Sequence, residues 1–397
     1  MKNSKNKTKK PVKKYLFYFF CLIILITTIL LARFIQKRRA DRTVRVAFYG
    51  LSEEMREMFK GNFPEEENII LEFDVISDTS FDAGLVKDKY DMIFTWKGEI
   101  TDTLAASAQD LPANLLEVLP FPLRNKKCAP ILLDHCEFAF SKDVMKKLEN
   151  KIPETFTDFN AFLEEGKSLV FSPVFCTGGD DRLLIDFVGA NVMAKGGLKA
   201  YNRLIEELRK AEKLENVLDI NLDGKGCTLR SVLEMLKALP DSGLMRRGWY
   251  DGQKNDLLIF AEDKQLGCFF TLLSEHRKIP YNLINKYDAS YIPSDMINED
   301  YGLIAPSVCC MLLSDNSNAK RYLSGFLTRE AQKAFSEKTK LAPAYSNAQA
   351  CDIQADDVRF WAASNPAGAV PDLYYAVYQR KSKELTKICS EIRSYVR

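Results

Sequence analysis

Three stretches of this chain carry residue types and spacings that could do chemistry. Asp134, His135 and Cys136 stand side by side, a carboxylate, an imidazole and a thiol of the kind used in nucleophilic catalysis or metal binding. Neighbours on an extended strand face opposite sides, so His135 and Cys136 would not share a site. The only other histidine is His276, which rules out a multi-histidine zinc shell. A second stretch, Asp219, Asn221, Asp223 and Gly224, matches the first half of a calcium loop. Its twelfth position should be a bidentate glutamate and is Arg230. An ordinary Asp/Asn/Gly turn is the simpler reading, and calcium would need a glutamate from elsewhere. The third stretch, FCTGGDD from Phe175 to Asp181, precedes a helical pattern. Backbone N–H groups at Gly178 and Gly179 could hold a polar ligand at the helix start. Alternatively Thr177 or Asp180 simply caps the helix. The loop lacks the Lys-Ser/Thr of a phosphate loop and the third glycine of a dinucleotide fingerprint. No catalytic set is complete. The chain reads as a non-enzyme without metal or cofactor.

The elements around these residues are those of a folded α/β body behind a separate N-terminal segment. Of 397 residues, 46% are hydrophobic and 28% charged, which is globular composition. The net charge of +2 hides an asymmetry. Residues 1–45 hold 13 Lys or Arg against Asp41 alone, and the rest of the chain carries a surplus of acids. An acidic body argues against nucleic-acid binding. Between Lys14 and Arg33 lies an uncharged run, YLFYFFCLIILITTILLA, 18 residues long. At ~1.5 Å per residue it spans about 27 Å, near the thickness of a bilayer core. A cleaved signal would have a shorter apolar core and a small-x-small site, whereas here Ala32 has Leu30 two positions before it and Arg33 after it. The run predicts one transmembrane helix over 15–35 after a basic tail over 1–14. Lysines before the run and Arg33, Lys37, Arg38, Arg39, Arg42 and Arg45 after it nearly balance, so charge does not decide orientation. The nine cysteines beyond Cys21 include no C-x-x-C and read mainly as small buried hydrophobes.

From residue 43 onward, short apolar runs alternate with helical patterns. Thr43–Tyr49, Ile69–Ile76 and Tyr90–Thr95 read as strands separated by helices, the signature of right-handed βαβ units. Pro130–Phe140 is a longer extended stretch with a polar centre. Helices are expected over Phe156–Glu165, Asp181–Ala194, Gly197–Lys213, Leu229–Leu239, Asn316–Leu327 and Arg329–Glu337. A last amphipathic helix starts from Pro371, with Leu385, Ile388, Cys389, Ile392 and Val396 on one face. In an open α/β sheet, ligands collect at the carboxyl ends of strands, which draws attention to Trp96 after the third strand. Trp249 and Trp361 individually suit core or rim as well as a ligand.

The order of these segments resembles the extracellular solute-binding proteins of ABC transporters, of the maltose-binding type. VRVAFYG with its helix is similar to the family's opening, and YDMIFTW to its D-I-I-F-W segment. PILLDHCEFAFS is similar to the crossover strand, with Asp134 in the acid's place. KIPETFTDFNAFLEEG is similar to the P-x-T-W-x-E helix start, with Phe156 for the tryptophan, and FAEDKQLGCFF to F-x-x-G-x-x-A-M, with Lys264 for the glycine. IAPSVCCMLLSDNSNAKRYLSGFLTREAQKAFSEKTKLAPAY covers a strand, a helix, T-x-E-x-Q and a closing proline. VPDLYYAVY is similar to the aromatic end where these proteins stack a sugar. The likeness is collinear from about 43 to 378.

The resemblance implies a two-lobed periplasmic-binding-protein-like fold with interlobe crossover strands. Lobe one would take 43–139 plus 277–338, and lobe two 140–276 plus 339–397. It implies a body outside the cytoplasm, at the periplasm or cell exterior, anchored in the cytoplasmic membrane. It implies capture of a small polar ligand, a carbohydrate above others, for ABC permease subunits. An anchored sensor without a transporter is the alternative, and an extracytoplasmic hydrolase the third. The expected ligand contacts are Thr95, Trp96, Asp134, Thr177, Gly178, Gly179, Asp180, Trp249, Tyr374 and Tyr375. Flat aromatic faces would cover the C–H faces of a polyol, and the Asp134 carboxylate would accept its hydroxyls.

Overall fold

The computed structural model describes residues 17–29, 31, 42–64, 66, 69–149, 151–296 and 300–397. The basic tail 1–14 and part of the apolar run lie outside them. Residues 17–29 are helical, and large apolar side chains from Phe17 to Ile29 are exposed. No helix among the described residues is long and apolar enough to cross a membrane.

The body holds two principal sheets. Strand β1 (Thr43–Tyr49) pairs in parallel with β2 (Ile70–Ile76) and β3 (Met92–Trp96), as the strand–helix alternation predicts. Both faces of β1 are covered. Val44, Val46 and Phe48 enter one core and Ala47 and Tyr49 another, which is why this strand reads as nearly continuous apolar sequence. The stretch 130–140 is two strands. β4 (Ala129–Leu133) belongs to the first sheet and β5 (Cys136–Ser141) to the second, so the chain crosses between lobes at Asp134 and His135. The second sheet runs β6 (Ser172–Phe175), β7 (Leu266–Leu272), β5, β8 (Tyr287–Ser290). The first adds β10 (Ser307–Leu312), antiparallel to both β3 and β4. A short parallel pair joins β9 (Leu303–Ile304) to β12 (Ala369–Val370).

Strand partners move all three expected lobe boundaries, since β5 already takes 136–139 into lobe two. Tyr287–Ser290, expected in lobe one, pairs with β5 of lobe two. Strand β11 (Ala342–Pro343), expected in lobe two, pairs with β4 of lobe one, and Pro343 is tolerated because β11 is an edge strand. Lobe one therefore holds 43–133 and roughly 303–370. Lobe two holds 136–290 and the C-terminal segment. Local patterning could not place these two short strands, because each is identified by its partner.

The helix Asp181–Leu208 is interrupted at Gly197, with φ 73° and ψ −172°, where two helices were expected. A Cβ there would stand 2.5 Å from the Asp300 carbonyl, so only glycine makes this break. The C-terminal helix begins later than its proline suggested, at Ser382, after an irregular turn over Tyr374–Tyr378. Its expected apolar face, Leu385 through Val396, is buried in the core of lobe two.

Candidate functional site

The site is built where the chain crosses between lobes. Asp134 is fully buried at the first crossing and accepts hydrogen bonds from the Ser274 N–H at 2.9 Å and its hydroxyl at 2.6 Å. Ser274 follows β7, so the carboxylate ties two segments together. The Leu273 N–H adds a bond of 2.8 Å to the His135 carbonyl. Burial pushes the Asp134 carboxyl above the usual carboxylate range, with Arg182 and the Ser274 bonds opposing.

Trp96 ends β3, and its ring lies parallel to Tyr375, with centroids 4.6 Å and planes 11° apart. The Arg182 guanidinium lies 4.7 Å from the Tyr375 ring centre and 5.2 Å from that of Tyr374. Arg182 also pairs with Asp372 at 3.1 Å and Asp186 at 3.7 Å. Burial opposes the guanidinium charge, but Tyr375 and the surrounding carboxylates hold its pKa above the ordinary value. Asp186 is driven well upward, first by burial and then by Asp372, with Arg182 only partly offsetting. Thr95 accepts from the Gln379 amide at 3.2 Å, and Arg380 pairs with Glu99 at 2.8 Å. Of the four segments expected to meet at one cleft, Trp96 and Tyr375 are in ring contact, Tyr374 and Tyr375 both lie against Arg182, and Arg182 acts on Asp134, whereas Thr177–Asp180 is spent elsewhere. Trp96 and Tyr375 are only 7% and 6% exposed, so their rings already cover each other. A ligand reaches the Trp96 face only if these rings separate.

The other expected contacts sit elsewhere. Trp249 is a core residue, fully buried with its ring edge-on to Phe187 at 5.6 Å. The N–H groups of Gly178 and Gly179 are already spent on the Trp249 and Gly252 carbonyls, at 3.2 and 2.9 Å. A Cβ on Gly178 would meet the Tyr250 backbone at 2.7 Å, which explains the glycine by close packing. Asp180 caps the following helix, accepting from the Arg182 and Leu183 N–H groups. With Thr177, it lines a cavity of about 90 Å³ on lobe two. The calcium-like segment is a turn. Arg230 binds both Asp219 oxygens at 2.6 and 2.8 Å, and Asn221 and Asp223 accept backbone N–H groups. No cluster fit to hold a metal ion occurs among the described residues.

Sequence reasoning missed Arg182, Asp186, Asp372, Gln379 and Ser274. The i, i+4 spacing of Arg182 and Asp186 was a visible signal, but it reads equally as a solvated helix pair. It also missed that His135 and His276 meet at Glu137. Glu137 is fully buried, contacts His276 directly, lies 3.6 Å from the His135 ring and accepts from Gln354 at 2.9 Å. Burial alone would push the Glu137 carboxyl up, but the two histidines hold it down to about 2.

No family model matches the chain, and no curated protein matches it in sequence. Solved structures do match. The bacterial solute receptor AcbH, described as having an exclusive preference for β-D-galactopyranose, shares 13% identity over 89% of this chain and 96% of its own, with a TM-score of 0.68. The apo form of RafE from Streptococcus pneumoniae shares 13% over 89% and 97%, at 0.60. The putative binding protein MsmE from Bacillus subtilis, in an open conformation, shares 14% over 89% and 96%, at 0.59. The chain has the two-lobed α/β fold of these solute-binding proteins.

Proposed function

We propose that this chain is a membrane-anchored extracytoplasmic solute-binding protein that captures a carbohydrate between its lobes and delivers it to an ABC importer. The observation that carries the reading is the shared fold over 89% of the chain with receptors for sugars, AcbH among them, together with two aromatic rings and a buried carboxylate at the lobe crossing. Stacked rings match the C–H faces of a sugar, and the carboxylate and Arg182 supply an acceptor and a donor for hydroxyls. The anchor is supported by the helical, outward-facing apolar residues 17–29. Within them, the hydroxyls of Thr27 and Thr28 donate to carbonyls of their own helix, at 2.9 and 2.7 Å, as lipid would require. The body is not an enzyme on this reading.

The test is calorimetric titration of the full chain, in a sugar-free detergent, with galactose, raffinose, stachyose and chitin oligosaccharides. Binding of at least one, weakened by Trp96→Ala, is expected. No binding across the panel would overturn the carbohydrate assignment. Protease accessibility in spheroplasts tests the outward orientation, and an intact body under external protease would refute it.

The anchored sensor is a second reading, favoured by one observation. The cleft is clasped by its own side chains through Trp96 and Tyr375, Gln379 and Thr95, and Arg209 and Asp102. A cleft held by its own side chains suits reporting a ligand better than cycling it. Genomic neighbourhood separates the two: adjacent permease genes support import.

A further inference from the structure

The two residues of the first crossing face opposite sides of the hinge. Asp134 looks toward Arg182 and Tyr375, whereas the His135 ring packs against Trp361, 5.4 Å away. On the Trp361 side lies a cavity of about 350 Å³ that the proposed function does not use. This is the size of a small-molecule site. Its walls come from both lobes and the segment between them. Trp361 belongs to the helix Ile353–Ser364 of lobe one, Glu154 to lobe two, and Tyr291 and Tyr301 to the segment crossing back between β8 and β9.

The aromatic walls stand at steep angles. Tyr291 meets Trp361 at 86° with centroids 5.3 Å apart, and Tyr301 at 61° and 6.5 Å. The Tyr301 hydroxyl donates to the Ile292 carbonyl at 3.1 Å, which fixes that ring. Among the described residues the lining carries one carboxylate, Glu154, and no Lys, Arg or His. Glu154 acts on the cavity, since burial and then this carboxylate push the Tyr291 phenol upward. Electron-rich ring faces around a carboxylate, with no competing cation, attract positive charge and repel anions.

We propose that this rear hinge cavity binds a small organic cation with a methylated ammonium head, held on the faces of Trp361 and Tyr291 and balanced by Glu154. The site is separate from the sugar cleft, and each can fail without the other. Charge, and not shape alone, selects the ligand, which a matched pair of probes can isolate.

The experiment titrates the full chain with choline and with its uncharged isostere 3,3-dimethyl-1-butanol, read by saturation-transfer NMR and calorimetry. Choline should bind at least tenfold tighter than the isostere. Glu154→Gln, an exposed position, should weaken choline at least threefold and leave the isostere unchanged. Trp361→Leu should weaken choline at least fivefold, and Trp361→Phe should keep most of the affinity, provided thermal melting shows both variants folded. Equal affinity for the two probes, absence of choline binding, or undiminished choline affinity in Glu154→Gln would each overturn the proposal.

Discussion

The indole of Trp96 and the phenol of Tyr375 lie face to face, 4.6 Å apart, although one ends a strand of lobe one and the other belongs to the C-terminal segment that packs into lobe two. Both rings sit in one core with residues of lobe one, so the pair ties the C-terminal segment to that lobe, and it is the surface a sugar would need on the proposed reading. Stacked aromatics contribute about 0.5–1.5 kcal/mol beyond their buried area. Gly98 keeps the clasp close, because a Cβ there would stand 2.2 Å from the Tyr375 carbonyl.

Trp96→Ala should therefore do two things at once. It should weaken sugar binding at least tenfold, about 1.4 kcal/mol, and lower stability by about 3 kcal/mol, as truncating a buried aromatic does. Scattering should show a larger radius of gyration as the lobes part. A variant with unchanged radius and unchanged affinity would mean that the stack neither clasps nor binds.

Asp134→Asn separates charge from hydrogen bonding. The amide oxygen can still accept from Ser274, so melting at neutral pH should change little. Loss of the carboxylate opposite Arg182 should weaken sugar binding about tenfold. Strong destabilisation with full affinity would make Asp134 a hinge tie only.

Asp186 gives a pH dependence with a definite sign. Its carboxyl is raised in the fold, so its contribution to stability is complete below about pH 3.8, the unfolded value, and is lost as pH rises toward the folded pKa. Asp186→Asn cannot ionise and should flatten that loss. Denaturant titrations of both proteins between pH 4 and 9 check it. Parallel curves would sink the assignment.

Glu137 behaves in the opposite sense. Its pKa falls from 4.5 to about 2 in the fold, so the stability it adds is present above pH 4.5 and disappears as pH falls toward 2. Glu137→Gln should destabilise the fold at neutral pH and remove the acid-limb slope. An unchanged slope would show that His135 and His276 do not stabilise the carboxylate.

Gly197 and Gly243 share a positive φ, 73° and 72°, but Gly197 has ψ −172°, a conformation open essentially only to glycine, and its surroundings are closer. Alanine at Gly243 meets nothing within 4 Å and should cost only the left-handed strain, about 1 kcal/mol. Alanine at Gly197 adds a clash with the Asp300 carbonyl and should cost about 3 kcal/mol or more. Equal melting shifts would mean that the Gly197 helix break relaxes freely.

Sequence alone determined the parts whose signals are local. The alternation of strands and helices, the cap at Asp180, the break near Gly197 and the buried face of the last helix all rest on neighbouring residues, and each stands close to where its pattern placed it. The collinear resemblance supplied the two-lobed fold. Only the tertiary structure decided what the site residues do to one another. Trp96 meets Tyr375, Arg182 meets Asp372, and His276 meets Glu137, contacts between segments far apart in the chain that no short-range spacing encodes. Gly178 and Gly179 look like ligand donors until the backbone of 249–252 folds back to take their N–H groups. Trp249 looks like a binding aromatic until Phe187 packs on it. Pattern shows which groups are capable of a contact, but burial and partners are set by segments distant in the chain, and those fix whether a polar or aromatic group is spent on the fold or left for a ligand.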